Sequence, residues 1–376
     1  MIIGHLEKYE IERLVRIQAS VQWETTQTPA RDIFIETEAG FRDDLTLTAD
    51  AFLIGCLVPA MHFGERRIRI EGEVCPFLCE GLDAAMALLS MWTGGRLKPL
   101  TIEAGVRKAL MFPRRPPRAG QFLSGGIDSL CALRTNRTIY PLDHPAAVKD
   151  CLLVHGFDIG GVMARGAKYH VFERAKAHMA VVARDAGVTL IPVYTNIRHL
   201  CDQRDLWLNS FFGAVLAAVA HAFAARLNLV YIASSYDWPN LHPCGSHPLL
   251  DPSFSSSDLQ IRHKDVHLSR LDKHRIVSQW ESAFQNFRVC LANTPDRLNC
   301  GQCEKCTRTR TELVALGLLP HTRAFVEDDV TAEELLKYDI TIRGRDIFYR
   351  DLIKPLTDLG RLDLVAAIER KINPAE

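Results

Sequence analysis

Between residues 120 and 235, short apolar runs alternate with stretches of helical character, and that alternation restricts the chain more than any other feature. Phe122-Leu123, Cys151-Leu-Leu-Val-His155, Val188-Thr-Leu-Ile-Pro-Val-Tyr194 and Leu229-Val-Tyr-Ile-Ala233 have the length and apolarity of strands buried on both faces. The stretches from Leu130, from 169 to 186 and from 210 to 226 have helical spacing. Strands separated by helices pair in parallel, so the expected fold class is α/β with a parallel doubly wound sheet. In such sheets ligands gather beyond the carboxyl ends of the strands, where Ser124 to Ser129, His155 to Asp158, Tyr194 to Asn196 and Ser234 to Asp237 are predicted to meet.

The first of these segments, Gly120-Gln-Phe-Leu-Ser-Gly-Gly-Ile-Asp-Ser129, joins a strand end to a helix start through a Ser/Gly turn. Gly125 and Gly126 allow a tight turn. The backbone N–H groups there, with the hydroxyls of Ser124 and Ser129, form a cradle for phosphate. A carboxylate at Asp128 repels phosphate unless a divalent cation stands between them, which implies Mg2+. The spacing lacks the Lys of a Walker loop and the glycines of a dinucleotide fold. The plain alternative is a serine-rich turn with no ligand.

Two further clusters carry chemistry. Cys290, Cys300, Cys303 and Cys306 place four thiols within seventeen residues, a set that closes a tetrahedral zinc site of structural type, with Gly301 allowing the tight fold after Cys300. Thiolates also suit an iron-sulfur cluster, and a disulfide or free thiols are the remaining alternatives. In Leu268-Ser-Arg-Leu-Asp-Lys-His-Arg-Ile-Val277, Ser269 caps a helix whose Arg270 and Lys273 either reach a phosphate or form a solvated face.

With 376 residues, 47% of them hydrophobic, the chain is long enough for two cores, and 45 basic residues balance 45 acidic ones. That balance provides no field to draw in nucleic acid. No apolar run approaches membrane-spanning length and no leader pattern opens the chain, so the expected location is cytoplasmic, with the 11 cysteines mostly reduced. The expected division is a smaller N-terminal α+β domain (1–115), a catalytic domain with the cysteine site (116–315) and a helical tail (316–376). Cys75 and Cys79 are read as core thiols, 108–119 as a linker or a basic approach to the phosphate site, and His221 as a core histidine. The His-Pro-rich segment after 235 is read as an ordered wall facing substrate, in which His242, Cys244 and His247 pack rather than bind metal.

The Ser-Gly-Gly-Ile-Asp-Ser turn resembles the SGGxDS loop of the ATP pyrophosphatases, the PP-loop or adenine nucleotide alpha hydrolase superfamily, which implies a Rossmann-like sheet, ATP and Mg2+. SGGIDS, LDKHRIV and C-x9-C-G-x-C-x-x-C, in that order over about 120–315, are similar to 7-cyano-7-deazaguanine synthase, the nitrile-forming enzyme of queuosine biosynthesis. The resemblance implies nucleotide binding by Ser124, Gly125, Gly126, Ile127, Asp128 and Ser129, and catalysis with Asp128, Lys273 and Arg270. It further implies Zn2+ on Cys290, Cys300, Cys303 and Cys306. The activity implied is adenylation of a small-molecule or peptide carboxylate, with loss of pyrophosphate and then AMP, to form an amide or nitrile. The chain departs from that family in Ser-Tyr-Asp-Trp-Pro after Ala233, in residues 1–115, which suit a protein partner, and in the tail. Two other readings are tRNA-base thiolation, for which Cys131 is the nearest thiol, and a nucleotide-binding subunit without turnover in a defence or modification system.

Overall fold

The computed structural model describes residues 1–113, 115–340 and 346–373. One ten-stranded sheet runs through it. Its strands are β1 (Ile2–Ile11), β2 (Leu14–Gln22), β3 (Arg31–Glu38), β4 (Arg67–Val74), β5 (Thr101–Val106), β6 (Ala119–Phe122), β7 (Val148–His155), β8 (Thr189–Thr195), β9 (Leu229–Ala233) and β10 (Gln260–Lys264), in the order β10-β9-β6-β7-β8-β3-β2-β1-β4-β5. Strands β10, β9, β6, β7 and β8 are mutually parallel. The neighbours of β6 are β7 on one side and β9 on the other, so the order of connection reverses there and leaves a crevice at its carboxyl end. The result is α/β with a mostly parallel sheet.

The sheet crosses residue 115 without a break. β3 pairs antiparallel with β8, Ile35 opposite Thr195 and Thr37 opposite Val193. Asn196 seals the seam, accepting from the Phe34 N–H at 2.9 Å and donating to the Asp32 carbonyl at 2.9 Å. It is therefore turned away from the crevice in which the sequence placed it. Alternation along β2 and β3 buries Val15, Ile17, Ala19, Ile33 and Ile35, which join Leu152, Ile191, Val193 and Ile232 of the parallel strands in one cluster. The N-terminal segment thus shares its core with the segment that follows.

Helix α1 (Ala49–His62) starts at Thr48, whose side chain accepts from the Asp50 N–H, and packs against α5 (Phe212–Ala222) on this face. Helix α2 (Pro76–Trp92) lies there too, burying Leu78, Leu82 and Leu89. The opposite face carries α3 (Ile127–Ile139) and α4 (Tyr169–Ala186), whose Leu130, Phe172 and Met179 share a second cluster with Phe287, Cys290 and Cys306. Two more helices, α6 (Arg270–Ser278) and α7 (Glu304–Ala315), complete the site-bearing half, and C-terminal helices pack Tyr349, Leu352, Leu356 and Leu364 against Leu271 and Ala315 in a third cluster.

Five segments depart from, or add to, the sequence-based reading. The Arg-Pro-rich connector is pinned: the Met111 and Phe112 N–H groups donate to Asp258 at 2.9 and 3.2 Å, and Arg107 pairs with both Asp50 and Asp258. Lys108, Ala109, Leu110, Pro116 and Pro117 of the same segment remain exposed. The stretch Arg204–Ala222 is long and apolar enough to cross a membrane, yet 72% of its apolar window is buried inside the fold. Its apolarity is that of a core helix. β1, β5 and β10 gave no recognised strand pattern; β5 and β10 are the two sheet edges and are largely or partly exposed, so their sequences carry little apolar alternation.

Candidate functional site

Ser124 to Ser129 form the turn from β6 into α3, at the point where the sheet reverses. Gly125 has φ +80°, and a Cβ added there would lie 3.2 Å from the sulfur of Met179, so both conformation and space favour glycine. The Ser124 hydroxyl accepts from the Gly126 N–H at 3.2 Å and lies 3.3 Å from the Ser129 hydroxyl, which donates to the Gly126 carbonyl at 2.9 Å. The neighbouring chain buttresses the turn, the Arg288 N–H donating to the Gly125 carbonyl at 2.8 Å. Ser124 is exposed and Asp128 half-buried, so the turn presents polar atoms to the crevice.

The structure brings Asp128, Arg270 and Lys273 together. Ser269 caps α6, accepting from the Asp272 N–H. One turn then carries Arg270 and Lys273 to Asp128, each at 3.2 Å. Lys273 is 1% exposed and also donates to the Ser234 carbonyl at 2.5 Å. This helix face is therefore not a solvated one. Burial pushes the Asp128 carboxyl up, but Lys273 and Arg270 more than offset that and hold it below its ordinary value.

Glu312 on α7 is a residue that sequence reasoning missed. Fully buried, it takes Arg270 at 3.4 Å and the His274 Nε2–H at 2.6 Å, and Arg308 stands 3.8 Å away. It holds the far side of Arg270 while Asp128 holds the near side. Burial raises its carboxyl, but Arg270, His274 and Arg308 outweigh that and lower it to about 2. The depressed value means that its contribution to folding is whole above its ordinary 4.5 and is lost as pH falls toward about 2. Burial also lowers His274 from 6.5, so acid favours the unfolded chain there as well. We expect the urea midpoint to fall steadily from neutral pH into acid. Glu312→Gln should flatten the slope below pH 4.5 while costing about 3–5 kcal/mol at neutral pH, because it leaves Arg270 short of a buried partner. An unchanged slope in that variant would remove Glu312 as its source.

The four cysteines converge. Their sulfurs all lie within 4.8 Å of one another, with Cys300 to Cys306 at 3.8 Å and Cys303 to Cys290 at 4.0 Å. Zinc–sulfur bonds of about 2.3 Å in a tetrahedron put ligand sulfurs about 3.8 Å apart, so the set can hold a metal such as zinc. Asn299 shapes the loop, accepting from the Val289 and Cys290 N–H groups and donating to the Phe287 carbonyl, and Gly301 turns with φ +75°. Among the described residues this is the one grouping with metal-ligand geometry. His242 and Cys244 instead face backbone carbonyls, of Asn240 and Ser246, each at 2.9 Å, and His247 lies edge-on to Trp92 at 4.9 Å. His221 is satisfied by the Phe254 carbonyl at 2.8 Å.

The His-Pro segment is ordered by buried Asp251, which accepts from Ser246 and His263, each at 2.7 Å. Its Tyr236 stacks on Phe348 at 5.6 Å. Cys131 is buried on α3, and burial pushes its thiol up to about 12. A thiol so held is protonated and poorly nucleophilic. Comparison with family models, with curated proteins and with solved structures found no match for this chain.

Proposed function

We propose that the protein is an ATP-dependent enzyme of the PP-loop type, related to 7-cyano-7-deazaguanine synthase, which adenylates a substrate carboxylate and passes it to ammonia or another amine. The observation that carries this reading is the placing of Asp128, Arg270 and Lys273 within 3.2 Å at the mouth of a Gly-Gly turn. A phosphate cradle with a carboxylate and two cations is a set suited to moving charge among phosphates. On this reading, with a Rossmann-like sheet, Ser124, Gly125, Gly126, Ile127 and Ser129 would hold the phosphates of ATP, and Asp128 would hold Mg2+.

A carboxylate oxygen of the substrate attacks the α-phosphorus, the bond to the β-phosphate breaks, and pyrophosphate leaves carrying the electron pair. Lys273 and Arg270 balance the charge on that leaving group. Amine attack on the acyl carbon then expels AMP and gives the amide; a nitrile takes a second ATP, whose α-phosphorus is attacked by the amide oxygen with loss of pyrophosphate, after which that oxygen leaves with AMP as the nitrogen gives up its protons. Mg2+ bound at Asp128 would supply further charge neutralisation. The cysteine site, with Zn2+, holds the domain end. The low charge balance and the protonated Cys131 favour this reading over tRNA thiolation.

The test is pyrophosphate release from ATP and Mg2+ with 7-carboxy-7-deazaguanine and ammonia, against the same mixture without the deazapurine. Dependence on the deazapurine supports synthase chemistry. Dependence on a different carboxylate keeps adenylation and changes the substrate. ATP binding with no release in the presence of any carboxylate would make the protein a nucleotide-binding subunit and defeat the proposal.

A further inference from the structure

A cavity of about 440 Å³ opens next to the cysteine site, and none of its lining comes from the turn Ser124–Ser129. Its size lies in the range of small-molecule sites, about 300–1,000 Å³. The lining charges are uneven even with Arg204, which has a partner of its own, set aside: Arg165, Lys168 and Lys305 against Glu304. Glu304 is engaged elsewhere, accepting from the Tyr349 hydroxyl at 3.3 Å and standing 3.7 Å from Arg308. Lys168 donates to the neutral Ala292 carbonyl at 3.3 Å, which leaves its charge unanswered by that contact.

Backbone adds to the same sign. Lys168 and Cys303, both in the lining, are the residues preceding α4 and α7, and neither helix start receives a hydrogen bond from a capping side chain. Two helix starts therefore direct positive potential at a cavity already rimmed by cations.

The cavity is tied to the catalytic turn by short steps. Arg288, whose N–H holds the Gly125 carbonyl, pairs its guanidinium with Asn293, and Asn293 donates to the Asp158 carbonyl at 3.1 Å. Asn293 follows Ala292 of the cavity wall.

We infer that this cavity is the site of the second substrate and takes a small multivalent anion, a molecule bearing phosphate or more than one carboxylate. The assignment as second substrate rests on the adenylation reading, whereas the anion site itself does not. The probes are citrate, which offers carboxylates alone, and 3-phosphoglycerate, which adds a phosphate, each titrated calorimetrically into the full chain. At least one should bind. Arg165→Ala, at an exposed lining residue, and Lys305→Gln, at a half-buried one, should each weaken it about 10-fold, the loss of one charge-assisted hydrogen bond. Lys354→Ala, an equal charge change on an exposed C-terminal helix, should leave probe affinity unchanged.

Which probe binds better separates phosphate from carboxylate recognition. No binding by either, or binding indifferent to both cavity variants, overturns the proposal whatever ATP does. Competition between the probe and ATP with Mg2+ would put nucleotide phosphates in the cavity and also overturn it. Probe binding that depends on Arg165, with no pyrophosphate release under any condition, would sink the adenylation reading and leave the anion site standing.

Discussion

Asp128→Asn is expected to cut pyrophosphate release by at least about 100-fold while leaving the protein folded, a size usual for removing one preorganised charge contact from a reacting centre. The substitution keeps the shape of the side chain and its carbonyl oxygen. Arg270 keeps Glu312 at 3.4 Å, and Lys273 keeps the Ser234 carbonyl at 2.5 Å. What disappears is the negative charge, and with it the atom able to hold Mg2+ against the phosphates. The cations left behind favour anion binding, so ATP without Mg2+ should bind at least as well as before. A circular dichroism spectrum close to the wild type, with turnover lost below the variant's own melting temperature, would support the assignment. Near-normal turnover with Mg2+ would sink it.

Cys306→Ser carries the second large effect. Cys306 is fully buried, and α7 begins beside it at Glu304 and carries Glu312 eight residues further along. A metal bound by the four sulfurs therefore anchors the helix whose carboxylate holds Arg270 and His274. Because metal-binding energy in such closed sites is folding energy, a variant of a zinc-bearing wild type should retain no zinc and fall in Tm by about 5 °C or more. On the adenylation reading, pyrophosphate release should fall with it, through the loss of the helix that carries Glu312. Metal analysis of the purified wild type, followed by melting with and without a chelator, checks this. Zinc-free protein that melts at the same temperature would show that the cysteines only pack, and the visible colour of an iron-sulfur cluster would reassign the metal.

Much of the site is legible in the chain because it is local. Ser124 to Ser129 lie on one turn, Ser269 to Lys273 on one helical turn, and Cys300, Cys303 and Cys306 at spacings that bring three thiols to one side of a loop. Glu312 gives no such signal. It is one carboxylate on a helix of mixed composition, 42 residues from Arg270, and its importance comes from being buried where Arg270 and His274 arrive. Asn196 was misplaced for the converse reason: its position after β8 suggested the crevice, while pairing of β8 with β3 claimed its amide for the sheet.

The sequence by itself determined the period of the elements, the strand-turn-helix around Gly125, and the set of sulfurs able to meet. Those depend on residues a few positions apart, where side-chain direction and turn chemistry act directly. Only the tertiary structure decided that the first 115 residues join the same sheet, that the Arg-Pro connector is pinned on Asp258, and that cations from three separate stretches rim one cavity. Each of those outcomes requires contacts between residues distant in the chain. Burial and unmet hydrogen bonds select them, and no short stretch of sequence encodes either.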